Sequence, residues 1–182
     1  MPENLFTVNN WYEKDSYGKR ISTKPINFYL PIEDKGKVII LGKEYQKSDI
    51  FKYLAGIKKD SSAEIIINTT IFYIPTEAAS LPWLTVKENL EVLNKLNTTF
   101  TEIEIKNAIE QVGLSDYENY IPQYKNSGFR FRILLARAIL LKSEVVLIEN
   151  VFSLLDPLTN DELLRLINKI SSDNKTTFII KN

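Results

Sequence analysis

The sequence predicts an α/β domain: a mostly parallel sheet flanked by helices. Three observations predict it. Short continuous apolar runs recur at "KVIILG" (37–42), "EVVLIE" (144–149) and "TTFII" (176–180), the pattern of strands buried on both faces. Stretches with helical spacing alternate with them. The middle of the chain, roughly 78–127, is helical in pattern without strands, so a helical lobe is expected there, between core segments 1–77 and 128–182 of one domain.

Each element has its own signal. Gly42 closes the first buried strand, and "SDIFKYLAGI" (48–57) follows as a helix stopping at Gly56. "AEIIINTTIFYI" (63–74) is β-branched and aromatic, one or two strands halted by Pro75. "TVKENLEVLNKL" (85–96) is amphipathic, with Thr85 as N-cap and Glu88 in the capping-box position. "TEIEIKNAIEQVGL" (101–114) repeats that logic and ends near Gly113. "GFRFRILLARAILLKS" (128–143) is a helix with a broad apolar face, and "TNDELLRLINKISS" (159–172) is a capped helix.

Composition narrows the chemistry. The 182 residues suit one domain, and 44% hydrophobic with 25% charged residues supports a sizeable core. With 23 basic against 23 acidic residues, no nucleic-acid surface is expected. No apolar run approaches the ~20 residues of a membrane helix. The start has neither basic n-region nor apolar h-region and does not read as secretory, so a cytoplasmic chain is expected. Cysteine and histidine are both absent. That excludes disulfides, thiolate or imidazole metal sites and any Ser-His or Cys-His nucleophile. Chemistry must rest on carboxylates, lysines, hydroxyls and backbone. The segment "SEVVLIENVFSLLDPLT" (143–159) is therefore conspicuous. A buried strand that ends in acids can hold a metal and a base, yet here Glu149 is followed by the amide Asn150.

Taken in order, "LPWLTVKENL", "VGL…YIPQYKNSGFRFRILLARAIL" and "EVVLIENVFSLLDPLT" resemble the nucleotide-binding domain of ATP-binding cassette (ABC) transporters, a P-loop NTPase-like fold. The "LARA" helix and "LLDPLT" are the specific parts, and "LPWLTV" is similar to the nitrate, sulfonate and taurine importer branch. The resemblance implies ATP and Mg²⁺ as ligands. It also implies a transmembrane permease as partner, a homodimer or a heterodimer with another ABC ATPase, and a place on the inner face of the cell membrane.

Residue by residue, the resemblance implies the following roles. In "GKEYQKSD", Gly42 opens the phosphate loop, and Lys47 and Ser48 stand at its lysine and its Mg²⁺-contacting hydroxyl. The loop is one residue short, Gln46 replaces its second glycine, and Glu44 sets a negative charge where polyphosphate would lie. The stretch also reads as a plain solvated strand-to-helix turn. Tyr17 stands at the aromatic that stacks on adenine, or is an ordinary exposed loop aromatic. Thr76 stands at the glutamine that senses Mg²⁺ and γ-phosphate. Leu81, Trp83 and Leu84 either border the groove that receives the permease or cap a core. Asn126, Ser127 and Gly128 occupy the signature, whose helix N-terminus grips the partner's γ-phosphate, although Asn126 would equally cap a core helix. Glu149 stands at the Mg²⁺-associated aspartate and Asn150 at the catalytic glutamate. Ser153 and Asp156 match the D-loop, which works across the dimer interface. Asn182 stands at the histidine that contacts γ-phosphate. With Gln46, Thr76, Asn150 and Asn182 all substituted, the expectation is a degenerate, catalytically impaired subunit that docks on a permease or a competent ATPase. A slow but working ATPase is the alternative, and an interaction module outside transport a third reading.

Overall fold

The computed structural model describes residues 4–14, 17, 19–42, 49–59, 63–77, 80–96 and 99–181. Seven strands run in chain order: β1 (Asn4–Trp11), β2 (Ile26–Pro31), β3 (Val38–Leu41), β4 (Glu64–Ile67), β5 (Ile71–Ile74), β6 (Val145–Glu149) and β7 (Thr177–Lys181). The helices are α1 (Ile50–Leu54), α2 (Val86–Glu91), α3 (Glu102–Gln111), α4 (Ser127–Leu140) and α5 (Pro157–Asn174). A 4-stranded sheet has the order β3-β7-β6-β5, and every neighbouring pair in it is parallel. A 3-stranded antiparallel sheet has the order β2-β1-β4.

The continuous apolar runs of β6 and β7 follow from their being covered on both faces. Side chains alternate along a strand. Val146, Ile148, Phe178 and Ile180 enter one core with α2, α3, α4 and α5. Val145, Leu147 and Ile179 enter a second core with Phe51 and Leu54 of α1 and Phe6, Val8 and Trp11 of β1. Burial of each large apolar side chain contributes ~1.5–3 kcal/mol, so this central pair of strands anchors the domain.

Local signals set the helix starts. Thr85 accepts from Glu88 N and Thr101 from Glu104 N, and both capping boxes are complete. Asn126 Oδ1 accepts from Phe129 N at 2.8 Å at the head of α4. Asp156 Oδ1 accepts from Thr159 N at 3.0 Å at the head of α5.

Several expectations are corrected. The helix expected over 48–57 is α1, only 5 residues long, and the chain turns away at Gly56 with φ 71°. The helix expected over 85–96 tightens to a 3-10 turn at Val92–Lys95. The last helix begins at Pro157, ahead of the expected start at 159, because Asp156 caps it. The run 37–42 is a parallel strand but not a fully buried one: β3 pairs only with β7 among the described strands, and Ile40 is 62% exposed. The stretch 63–74 is two strands, split between the two sheets. The antiparallel sheet itself is absent from the sequence expectation.

Candidate functional site

Four parallel strands bring their carboxyl ends to one edge, where open α/β sheets hold ligands. Gly42 follows β3 and is exposed, Thr76 lies two residues beyond β5, Glu149 ends β6, and the exposed Asn150 follows it. Topology thus gathers Gly42, Thr76, Glu149 and Asn150. Lys47 and Ser48, with Glu44 and Gln46, lie outside the described residues, as does Asn182.

Glu149 is buried at this edge and pairs with Lys181, the residue opposite it in the β6–β7 register. Lys181 Nζ donates to Glu149 Oε1 at 3.1 Å, and the two side chains are only 7% and 10% exposed. The same ammonium lies 5.8 Å from the centroid of the Phe51 ring. On the β5 side, burial first, then the charge of Glu149 and a hydrogen bond to it, push the Tyr73 phenol above its usual range. It stays a neutral donor. Before α1, Asp49 Oδ1 accepts from Lys52 Nζ at 2.8 Å, and Asp49 also pairs with Lys58. Burial opposes ionisation of Asp49, but these two lysines outweigh it and hold its carboxyl below the ordinary range. Lys52 is raised, chiefly by its hydrogen bond to Asp49 and more weakly by Glu149.

Among the described residues, which do not include Ser48, the arrangement at this edge does not fit a divalent cation. A Mg²⁺ site needs oxygen ligands in near-octahedral array. Here the one carboxylate at the strand end already holds a buried ammonium. Among the described residues no group of three or more acidic, histidine or cysteine side chains could hold a metal.

A second cluster joins the heads of α4 and α5. Asn126 and Gly128 lie beside Thr159, and a Cβ built on Gly128 would sit 2.6 Å from Thr159 Cγ2. Gly128 is therefore required by a close helix approach, whatever else it does. Thr159 cannot easily retreat, since its Oγ1 donates to Asp156 Oδ2 at 2.6 Å. Ser153 Oγ donates to the Asn150 carbonyl at 3.0 Å, linking this cluster to the end of β6. Ser127 is half-buried, whereas Ser153 and Asp156 are exposed.

The "LPWLTV" stretch is pinned from below. Asn89 is fully buried, and its Oδ1 accepts from Leu81 N at 2.8 Å and from Arg137 Nη2 at 2.9 Å. Its Nδ2 donates to the carbonyls of Leu81, Leu84 and Thr85 at 3.0, 3.0 and 2.9 Å. Arg137 Nε donates to the Asn89 carbonyl at 2.8 Å, tying the loop to α4. Burial pulls the Arg137 guanidinium below its ordinary value. Above this anchor Leu81 and Leu84 are half-buried, and Trp83 is 67% exposed. Tyr17, in the connection between β1 and β2, is 94% exposed.

Sequence reasoning missed Lys181, Tyr73, Asn89 and Arg137. Lys181 had a visible signal: a lysine ending one buried strand while a glutamate ends another. Only the register shows that they meet.

No family model matches the chain. Over 189 residues it is 32% identical to the aliphatic sulfonates import ATP-binding protein SsuB of Bacillus cereus (strain ZK / E33L), covering 98% of this chain and 74% of that relative. It is 28% identical over 173 residues to the thiamine import ATP-binding protein ThiQ of Haemophilus influenzae (strain 86-028NP), covering 87% of this chain and 80% of that one. Among solved structures, cbiO1 from Clostridium perfringens, part of the ABC transporter complex cbiONQ, superposes with TM-score 0.80 at 18% identity, over 98% of this chain and 78% of its own. The likeness in structure shows a shared α/β fold of P-loop NTPase type. The chain belongs to the ATP-binding subunits of ABC transporters. Within that family its sequence likeness extends to the sulfonate-importer branch.

Proposed function

We propose that this chain is a catalytically impaired ATP-binding subunit of an ABC importer. It docks on a membrane permease through Leu81, Trp83 and Leu84. It pairs with a second copy or with a competent ATPase through Asn126, Ser127, Gly128, Ser153 and Asp156. The observation that carries the reading is Asn150, exposed at the end of β6 where the family's general base stands. An amide cannot take the proton from an attacking water. Phosphoryl transfer depends almost wholly on positioning and charge stabilisation, so loss of the base together with the changes at Thr76 and Asn182 slows it by powers of ten.

The exposed Trp83 on its buried Asn89–Arg137 anchor favours a docking role over a core-capping one. It also weighs against an interaction module outside transport. In this reading the segment 78–127 is a helical lobe, and the chain reaches the inner face of the membrane through its permease. Among the described residues no helix is long and apolar enough to cross a membrane. The cargo class suggested by the SsuB relatives is an aliphatic sulfonate. ATP contacts in this reading involve Tyr17, Gly42, Lys47 and Ser48, with Glu44 weakening the grip on polyphosphate.

Affinity purification from native membranes tests docking. A permease or an ABC ATPase is expected to co-purify with the wild type and to be depleted with Trp83→Ala. Recovery of neither from the wild type would overturn the docking role. A second reading, a slow working ATPase, is favoured by the carboxylate kept at Glu149. It requires turnover that Lys47→Ala abolishes.

A further inference from the structure

The geometry points to Lys181 as an internal replacement for the divalent cation at the carboxyl end of β6. Its ammonium neutralises Glu149, no Mg²⁺ is taken there, and a nucleoside triphosphate reaching this edge binds without a metal on Glu149. The inference rests on the assignment of Glu149 to the metal-associated position made above.

Placement is the first argument. Lys181 lies opposite Glu149 on one side and opposite Leu41 on the other, and Leu41 is followed by Gly42. Lys181 therefore stands in the sheet between the acidic strand end and the strand that leads to Gly42. The second argument is burial. A buried carboxylate and a buried ammonium each strongly disfavour being left unpaired, so neither readily gives up the other for a solvated ion. The contact of 3.1 Å between nearly inaccessible side chains is such a pair. The third is the surroundings. Phe51 lies against the ammonium, at 5.8 Å from ring centroid to Nζ. Among the described residues, Lys52 is close enough to feel the charge of Glu149, and Asp49 beside it is held by Lys52 and Lys58. A second, doubly charged cation beside Lys181 would be repelled. A polyphosphate would not.

Calorimetry of ATP binding to the full chain tests this. The wild type should bind ATP in EDTA with an affinity within about tenfold of that in Mg²⁺. Lys181→Met should weaken binding in EDTA by more than about tenfold relative to Mg²⁺, as Glu149 becomes free to take the metal. Mn²⁺ alone should raise the melting temperature of Lys181→Met and leave that of the wild type unchanged. A wild type that loses more than about tenfold in EDTA overturns the inference. So does a folded Lys181→Met with the wild-type response, and so does a wild type that binds no ATP in either condition. The last result leaves docking standing, because co-purification measures it separately. Where Lys181→Met does not fold, the wild-type comparison decides alone.

Discussion

At Gly128 the two helix heads leave no room for a methyl group. A Cβ there meets Thr159 Cγ2 at 2.6 Å, and Thr159 is stiff at χ1 and bonded to Asp156. Gly128→Ala should therefore destabilise the protein by ~1–3 kcal/mol, the cost of overpacking. Adding Thr159→Ser removes the clashing methyl but keeps the hydroxyl, and should restore most of the loss in chemical denaturation. No recovery would mean that the glycine is needed for something other than this contact. Asp156→Ala removes the N-cap of α5 and should cost ~1 kcal/mol by the same measurement. Asn126 was legible as a cap because the side-chain type and its place before an apolar helix suffice. The tight approach at Gly128 was not, since it depends on a residue 31 positions later in the chain.

Among elements, the link between the "LPWLTV" loop and α4 makes the sharpest claim. The Asn89 side chain holds Leu81, Leu84, Thr85 and Arg137 together. Asn89→Ala strips those bonds and leaves buried polar groups unpaired, each costing ~1–3 kcal/mol. Stability should fall by several kcal/mol at the upper end, and amide exchange should accelerate first at Leu81 and Leu84. Uniform exchange across the chain would contradict a local anchor. The capping boxes of α2 and α3 were readable in full because they are local patterns, Thr85 with Glu88 and Thr101 with Glu104. β6 and β7 were readable because helices and a second sheet cover both faces, leaving unbroken apolar runs. β1 and β2 carry no clean apolar alternation because polar residues interrupt them: Asn9 and Asn10 in β1, Asn27 in β2. Their pairing is long-range or irregular, with register shifts between Val8 and Trp11.

The whole molecule carries no histidine, so no side chain of ordinary pKa titrates between about pH 5 and 8. Its acid response comes from depressed carboxylates. Asp49 is held low as the two lysines outweigh burial, and Glu144 by hydrogen bonds from Lys35 and Thr69. A carboxylate with a lowered folded pKa stabilises fully above its unfolded value, near ~4. That contribution is lost as pH falls through the folded value. The melting temperature should therefore be flat from about pH 8 to 5 and fall below about pH 4, with a shallower fall in the Asp49→Asn, Glu144→Gln double variant. The motif order along the chain was enough to predict a mostly parallel sheet flanked by helices, which the strand pairing bears out. The Glu149–Lys181 pair was not legible, because only the strand register brings the two residues together.

The central claim is that this family member keeps the cassette's shape while its hydrolytic step is impaired. Steady-state ATP hydrolysis with Mg²⁺, by the wild type and by Lys47→Ala, tests it most directly. The account predicts wild-type turnover far below the ~1 s⁻¹ lower end of ordinary enzymes, and no further fall in Lys47→Ala. Turnover at or above that level, abolished by Lys47→Ala, would contradict it.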